Sequence, residues 1–260
     1  MYCKICNNSG LKLQKIFKKG LSGENLFGLS KKKYSRKLYK CTCGHFYNIH
    51  NHASFLKKVY QNNYASISHK NLNIKFNLIN SLKNKSSNFQ RVKFLKKKID
   101  INSHVLDIGS GIGVFPYEMK KNGFKIDASE TNQEMIKFMK KKRINTFFLD
   151  ILNSKLNINK YDVVTLNKVL EHFELKKIVI VLKKIKSFLN DNGIIYIEVP
   201  SANASKKSLD RQEFYFEHFN IFSKKSFKLL MKNCGFKTVY FNDIYEVNKK
   251  YTIRAIVKPV

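Results

Sequence analysis

From residue 104 onward, the hydrophobic and polar positions of the chain alternate between two periods. Short runs rich in β-branched and aromatic residues are separated by longer runs whose apolar positions recur every three or four residues. The short runs predict strands at His104–Ile108, Lys125–Glu130, Asn145–Leu149, Asp162–Asn167 and Gly193–Val199. The longer runs predict helices at Val114–Lys121, Gln133–Lys142 and Leu175–Leu189. This alternation favours a parallel sheet covered by helices on both faces.

Beyond Val199 the alternation ends. A polar loop follows Pro200, and a helix is predicted near Lys224–Asn233. Two β-rich runs come last, Phe236–Tyr245 and Tyr251–Lys258, with an Asn-Lys turn between them. A dinucleotide-binding dehydrogenase would more often continue its parallel alternation of strands and helices. We therefore predict an α/β fold with a doubly wound, seven-stranded, Rossmann-like sheet.

The first 98 residues follow a different pattern. Residues 1–53 hold two closely spaced cysteine pairs and several glycines, and we predict a small zinc-ribbon-like segment there. Residues 54–98 carry apolar positions at helical spacing, which predicts a helical linker or lid. Residues 99–260 are the predicted cofactor-binding domain.

The N-terminal cysteines are spaced as metal ligands. They lie in a Cys-x-x-Cys pair and a Cys-x-Cys pair, which are formed by Cys3, Cys6, Cys41 and Cys43. Four thiolates suit a structural, tetrahedral zinc ion, which can fold a segment too small to hold itself. The second pair is one residue shorter than usual, so His45 could replace a ligand, or the site could be a degenerated relic. Cys234 lies alone and is expected to pack before a turn.

The composition indicates a folded chain with a very basic surface. The 260 residues are 43% hydrophobic, and the formal net charge is +32. Only five of the 50 basic residues are arginine, which is the residue preferred for bidentate phosphate recognition. We interpret the lysines as a solvated surface and expect no specific nucleic acid partner. Since no apolar run reaches the length of a membrane span and the start lacks a signal peptide's apolar stretch, we expect no membrane partner and a cytoplasmic location.

The strongest motif is the glycine-rich turn after the first strand of the predicted sheet. The turn is Gly109-Ser110-Gly111-Ile112-Gly113, and it leads into a helix. Glycines allow a tight turn and let a ligand approach the backbone closely. Asp107 precedes the turn by two residues, where it would serve a pyrophosphate poorly but would tolerate the ammonium group of a methionine.

The run Asp107-Ile108-Gly109-Ser110-Gly111 resembles the first motif of class I methyltransferases that use S-adenosylmethionine, and the resemblance covers residues 100–258. It implies that Asp107, Gly109, Ser110 and Gly111 hold the methionine end of the cofactor. It also implies roles at later strand ends: Glu130 at the ribose, Asp150 and Ile151 at the adenine, and Asn167 at the border with the substrate. One acidic residue at a strand end is often only a helix cap, whereas three in this order are hard to obtain by accident.

Two further motifs follow the fourth and fifth predicted strands, at the edge where open α/β sheets bind ligands. They are Asn167-Lys168-Val169-Leu170-Glu171-His172 and Tyr215-Phe216-Glu217-His218-Phe219. Together with the cysteine pairs, they resemble the sugar C-methyltransferases, which act on nucleotide-linked keto-sugars. That resemblance implies that the catalytic residues are His172, Tyr215, Glu217 and His218, and that Tyr64 contacts the substrate. The further C-terminal α/β domain of those enzymes has no counterpart in this sequence, and a histidine in either loop could equally pack or cap the loop.

The sequence is therefore compatible with three functions. The leading hypothesis is an enzyme that methylates a small molecule, such as a nucleotide-linked sugar or a polysaccharide precursor. The second is an RNA methyltransferase that grips RNA through the cysteine-rich segment and the lysine surface. The third is a non-catalytic module that kept the fold. The sequence leaves open whether carbon, oxygen or nitrogen receives the methyl group, as well as the oligomeric state.

Overall fold

A computed structural model describes residues 2–65, 71–154 and 160–260 of the chain. Within these ranges the strands are β1 (Lys12–Phe17), β2 (Arg36–Lys40), β3 (Phe46–Ile49), β4 (His104–Ile108), β5 (Lys125–Glu130), β6 (Asn145–Phe148), β7 (Tyr161–Asn167), β8 (Leu189–Pro200), β9 (Asn220–Ile221), β10 (Phe236–Tyr245) and β11 (Tyr251–Pro259). The α-helices are α1 (Ala53–Lys58), α2 (Leu72–Ser81), α3 (Ser87–Leu95), α4 (Val114–Lys121), α5 (Gln133–Lys141), α6 (Leu175–Phe188) and α7 (Lys224–Asn233). A π-helical stretch, Val59–Asn63, continues α1.

Seven strands form the main sheet in the order β10-β11-β8-β7-β4-β5-β6. The five strands from β4 to β8 are parallel to one another, whereas β11 is antiparallel to both β8 and β10. The predicted α/β fold with a seven-stranded sheet is confirmed. Because the chain leaves β4 on one side for β5 and later returns on the other side for β7, a crevice opens at the carboxyl ends of these strands.

Successive residues of β4 explain why helices cover both faces of this sheet. Val105 packs with residues of α3 and α4 in one buried cluster, while Leu106 packs with residues of α6 and α7 in another. Side chains of a strand alternate between the two faces, so a strand that is buried on both must be apolar at consecutive positions. The continuous apolar runs seen in the sequence follow from this constraint.

The N-terminal segment forms a second, four-stranded antiparallel sheet in the order β1-β2-β3-β9. Its last strand, β9, comes from the loop after β8, and Phe46 of β3 pairs with Ile221 there. On the other side of the segment, Asn233 of α7 donates a hydrogen bond to the carbonyl of Ile5 over 3.0 Å. The two sheets therefore share elements. The domain boundary predicted at residue 53 stays a prediction.

A buried ion cluster attaches the helical segment to the main sheet. Arg91 of α3 lies 2.7 Å from Glu198 of β8, and Arg254 of β11 lies 2.7 Å from the other oxygen of the same carboxylate. Glu198 is fully buried. Breaking such a pair by removing one partner leaves an uncompensated buried charge, so this cluster fixes α3 on the sheet.

In the part of the chain that the structure describes, no helix combines the length and the apolar character needed to cross a membrane.

His50 offers a test of how the two sheets are joined. Its Nε2 donates a hydrogen bond to the carbonyl of Phe216 over 2.7 Å, while its Nδ1 accepts one from the backbone N–H of His52. Both nitrogens are thus used by the neutral ring, and burial lowers the pKa of His50 to about 4.

We expect this arrangement to make folding depend on pH. Below pH 6.5 the unfolded chain binds a proton at His50, whereas the folded chain does not. The free energy of unfolding therefore falls as the pH falls. Between pH 6.5 and 5 the wild type should lose about 2 kcal/mol more than His50→Gln, which cannot be protonated. Urea denaturation at both pH values measures this. An equal pH dependence of the two proteins would contradict it.

Candidate functional site

A cavity of about 450 Å³ lies at the carboxyl ends of β4, β5 and β7. One half is lined by the residues that follow β4, β5 and β6, and the other half is lined by the loops that follow β7 and β8, while α1 and its π-helical continuation cover both halves. Its volume falls within the range of small-molecule and cofactor sites.

The glycine-rich turn forms part of the first half. Gly109 has φ +71°, and a Cβ there would lie 2.9 Å from a methyl carbon of Val169. Gly111 has φ +57°, yet a Cβ there would meet nothing within 4 Å. Gly109 is therefore required for packing and backbone conformation, whereas the backbone of Gly111 borders the open cavity.

Asp107 lies beneath this turn rather than on the cavity wall. Its Oδ1 accepts hydrogen bonds from Thr165 Oγ1 at 2.6 Å and from Asn167 Nδ2 at 3.0 Å. Burial raises the pKa of Asp107 to about 6. Asn167 does line the cavity, and its Oδ1 is buried without a hydrogen-bond partner among the described residues. Ser110 turns its hydroxyl back to the carbonyl of Asp107.

Glu130 ends β5 next to the glycine turn. One carboxylate oxygen accepts a hydrogen bond from the N–H of Gly111 at 2.9 Å, and the other accepts one from the N–H of Thr131 at 2.7 Å. The side chain is only partly buried and lines the cavity. Gly111 and Glu130, which were predicted from separate motifs to bind the cofactor, thus lie in direct contact.

Asp150 and Ile151 complete this half. Asp150 accepts a hydrogen bond from Gln61 Nε2 at 3.3 Å and pairs with Lys57 at 3.4 Å, so the helical segment covers it from above. Burial alone would raise the pKa of Asp150, but the hydrogen bond from Asn153 and the charge of Lys57 hold it below its usual value. Ile151 is buried in the wall.

The second half brings together His172, Glu217 and His218. The Nδ1 of His172 lies 3.0 Å from the carbonyl of Glu217, and the rings of His172 and His218 have centroids 5.1 Å apart. His218 donates from Nδ1 to the carbonyl of Glu213 over 3.0 Å, so the lone pair is on Nε2, which lies 3.7 Å from Glu217 Oε1. Burial, together with the neighbouring His172, lowers the pKa of His218 well below its usual value. The ring is therefore neutral, with Nε2 unprotonated.

Tyr60 joins these residues, although no sequence motif singles it out. Its hydroxyl lies 3.1 Å from His172 Nδ1 and donates to Glu217 Oε2 at 3.1 Å. Burial and the charge of Glu217 raise the pKa of Tyr60 well above its usual range, so the phenol keeps its proton. Tyr64 also lines the cavity and stacks on Tyr60 with centroids 5.0 Å apart. Tyr60 lies one helical turn before Tyr64, the predicted substrate contact, and this spacing is the sequence signal that could have identified it.

Glu171 is a second group that the sequence analysis did not assign to the site. It is fully buried, and neither carboxylate oxygen has a hydrogen-bond partner among the described residues. Burial raises the pKa of Glu171. A carboxylate oxygen of this residue and ring nitrogens of His172 and His218 all lie within 4.8 Å of one another.

Tyr215 points away from these residues. Its hydroxyl donates to the carbonyl of Ser22 over 2.9 Å, and the side chain is not part of the cavity wall. The structure therefore places Glu217 and His218 at the cavity but Tyr215 against the N-terminal segment. A catalytic role for Tyr215 stays a prediction.

The N-terminal sheet holds the loop that carries this motif. The side-chain amide of Asn48, in β3, donates to the carbonyls of Phe214, Tyr215 and His218 at 3.1, 3.1 and 2.8 Å. Its Oδ1 accepts a hydrogen bond from Arg36 at 2.7 Å. One buried amide thus fixes the backbone on both sides of Glu217.

The four N-terminal cysteines lie together at the far end of the same sheet. Their Sγ atoms are within 4.8 Å of one another, with 3.8 Å between Cys3 and Cys43 and 3.5 Å between Cys6 and Cys41. Zinc–sulfur bonds of about 2.3 Å in a tetrahedron separate the sulfurs by about 3.8 Å. The donor set and its spacing therefore fit zinc. His45 is not part of this group, since its Nε2 contacts Asn220 at 3.2 Å.

Solved structures share this fold. A 1,6-didemethyltoxoflavin-N1-methyltransferase from Burkholderia thailandensis has a TM-score of 0.61 at 12% identity, covering 86% of this chain and 96% of its own. A magnesium protoporphyrin IX methyltransferase from Synechocystis PCC 6803 has a TM-score of 0.56 at 11% identity, covering 80% and 98%. A methyltransferase from Methanosarcina mazei has 0.55 at 15%, covering 64% and 97%. At such identities the likeness establishes the fold.

The sequence itself identifies the family. The family described as a methyltransferase domain matches residues 82–240, which is more than half of the chain. The chain therefore belongs to the methyltransferase domain family and is a class I methyltransferase by fold. No curated protein matches the sequence.

Proposed function

We propose that the chain binds S-adenosylmethionine in the cavity and methylates a small molecule there. The observation that carries this proposal is that one cavity is lined both by Gly111, Glu130 and Asp150 and by the imidazoles of His172 and His218. The structure from Burkholderia thailandensis holds both 1,6-didemethyltoxoflavin and S-adenosylhomocysteine, and the Synechocystis structure holds S-adenosylmethionine. These relatives of the same fold support a site for a cofactor and a small acceptor.

The residues of the first half would hold the cofactor. The turn Gly109-Ser110-Gly111 would border its methionine end, with the unpartnered Oδ1 of Asn167 available to its ammonium group, while Asp107 would act from beneath by holding Asn167. Glu130 would accept hydrogen bonds from the ribose hydroxyls. Asp150 and Ile151 would contact the adenine amino group and ring. When bound, S-adenosylmethionine supplies an activated methyl group.

The residues of the second half would handle the acceptor. A hydroxyl or an acidic C–H must lose its proton as it attacks, and the base would be the neutral ring of His218, which lines the cavity with Nε2 3.7 Å from Glu217 Oε1. Glu217, held by Tyr60, and His172 would orient the imidazole and the acceptor. Acceptors with such groups include nucleotide-linked keto-sugars, the class implied by the sequence resemblance, and other polysaccharide precursors.

We also propose a structural zinc ion at Cys3, Cys6, Cys41 and Cys43. Four protein ligands leave no open coordination position, so the ion would have no part in catalysis. Its function would be to stabilise the N-terminal sheet. That sheet in turn holds the Glu217 loop through Asn48.

Glu130 tests the cofactor site. The Glu130→Gln variant removes the charge that accepts the ribose hydroxyls, and we expect it to weaken S-adenosylhomocysteine binding by about 10- to 100-fold. Isothermal titration calorimetry gives the affinity. The matched control is Glu134→Gln, an exposed position on α5, which should bind as the wild type does. Unchanged affinity of Glu130→Gln would refute the ribose contact, and no heat from the folded wild type would refute the cofactor proposal.

Metal analysis tests the zinc proposal. We expect about one zinc ion for each chain, because the four sulfurs form a single tetrahedral site. Cys41→Ser should lose the metal and unfold at a lower denaturant concentration. Cys234→Ser, at a buried cysteine outside the cluster, should keep the metal. A metal-free protein that gains no stability from added zinc would contradict the proposal.

Methyl-labelled S-adenosylmethionine tests the acceptor class. Incubated with a cell extract that is then separated into metabolites and RNA, the protein should label a small molecule. His218→Gln should reduce that labelling by about 100-fold, because a general base typically contributes that much. His52→Gln, which lies outside the cavity wall, is the control. Label in RNA would instead favour the RNA methyltransferase, and no label in any fraction would favour the non-catalytic module.

A further inference from the structure

Among the described residues, four lysines line the cavity, and only one of them lacks a carboxylate partner. Three of them pair with carboxylates: Lys57 with Asp150 at 3.4 Å, Lys168 with Glu246 at 3.1 Å and Lys177 with Glu174 at 2.5 Å. The fourth, Lys250, has no carboxylate within 4.0 Å of its ammonium among the described residues. It is also only partly exposed. An ammonium in that position lacks both full hydration and a counter-ion.

The backbone around Lys250 is fixed on each side. Its carbonyl accepts a hydrogen bond from the N–H of Glu246 at 2.8 Å, which closes the turn between β10 and β11. The carbonyl of Lys249 accepts one from Arg211, and the N–H of Tyr251 donates to Glu213 at 2.6 Å. Lys250 therefore reaches the cavity from a rigid turn and not from a free loop.

The neighbouring carboxylates are already engaged. Glu246 pairs with Lys168 and also lies 3.5 Å from Arg91. Glu213 pairs with Arg211 at 3.0 Å, and Glu217 accepts the hydroxyl of Tyr60. Burial and the nearby charge of Lys168 lower the pKa of Lys250. A ligand that brings its own negative charge would relieve both the desolvation and the repulsion.

We propose that Lys250 binds an anionic group, a carboxylate or a phosphate, of the methyl acceptor. This inference rests on the proposed function, since it assumes that an acceptor occupies the half of the cavity near Glu217 and His218. Lys250 lines that same cavity, and the charge of Glu217 is among those that act on it. The substrate class is therefore a small acid or a phosphorylated small molecule, held at Lys250 with its reactive atom toward His218.

Calorimetry with simple anions tests this inference. Pyrophosphate and acetate are titrated separately into protein saturated with S-adenosylhomocysteine, at constant ionic strength, so that the two arms distinguish a phosphate from a carboxylate site. We expect one of them to show a single-site component that Lys250→Gln weakens about tenfold or more, as for the loss of a charge-assisted hydrogen bond. Lys249→Gln changes the charge equally at an exposed neighbouring position and should keep that component.

The other outcomes are each decisive. Isotherms that are the same for the wild type and both variants would mean that the anions bind only the basic surface, which overturns the proposal. A Lys250→Gln variant with weakened S-adenosylhomocysteine binding would show that Lys250 serves the cofactor, and this also overturns it. If S-adenosylhomocysteine does not bind the wild type at all, the proposed function itself fails, and the anion titrations alone then decide whether Lys250 is an anion site.

Discussion

The site depends on the register in which β4 pairs with β7. Asp107 lies opposite Thr165 in that register, and Asn167 follows two residues later on the same face of β7. Both side chains therefore reach Asp107 Oδ1, and this buried carboxylate keeps two donors. A slip of one residue would turn both donors to the opposite face and leave the carboxyl group unsatisfied. The same register brings the carboxyl ends of β4 and β7 level at the edge where the cavity lies.

The second half of the site depends on a contact between distant parts of the chain. Only two residues, Asn220 and Ile221, form β9, yet they complete the N-terminal sheet. With Asn48 and His50 they tie the loop after β8 to a sheet that begins at residue 12. The cysteine-rich segment is thus connected by hydrogen bonds to the backbone that carries Glu217 and His218. Loss of order in that segment would remove these hydrogen bonds from the acceptor half.

Whether a feature can be predicted from the sequence depends on how far apart along the chain its interacting residues lie. The strands from His104 to Val199 and the helices between them were predicted within a few residues, because strand and helix periods are written in neighbouring positions. The glycine turn and the cysteine cluster were also found, since spacing alone defines such motifs. The pairing of β9 with β3 was missed, because a two-residue strand has no period. Tyr60 was missed for a similar reason: its hydroxyl contacts residues 112 and 157 positions away.

Tyr215 shows the opposite limit. Its motif places it two residues before Glu217, and in an extended segment that spacing puts two side chains on one face. The carbonyls of this loop are instead held by Asn48, and the Tyr215 hydroxyl contacts Ser22. The motif therefore predicts correctly that this loop reaches the site. It does not predict which of the loop's side chains enter the site.

The overall charge of +32 gives little information about the cavity. Among the described residues, six acidic side chains line it, against four lysines, although the chain has 50 basic residues and 18 acidic ones. S-adenosylmethionine carries a net positive charge, so carboxylates such as Glu130 and Asp150 suit a cofactor half. The cationic Lys250 lies instead in the half that holds the histidines. Since Glu171, Glu213 and Glu217 line the same half, an anion there would depend on the ammonium of Lys250 itself and not on the net charge of that half, whatever the solvated surface binds at low salt.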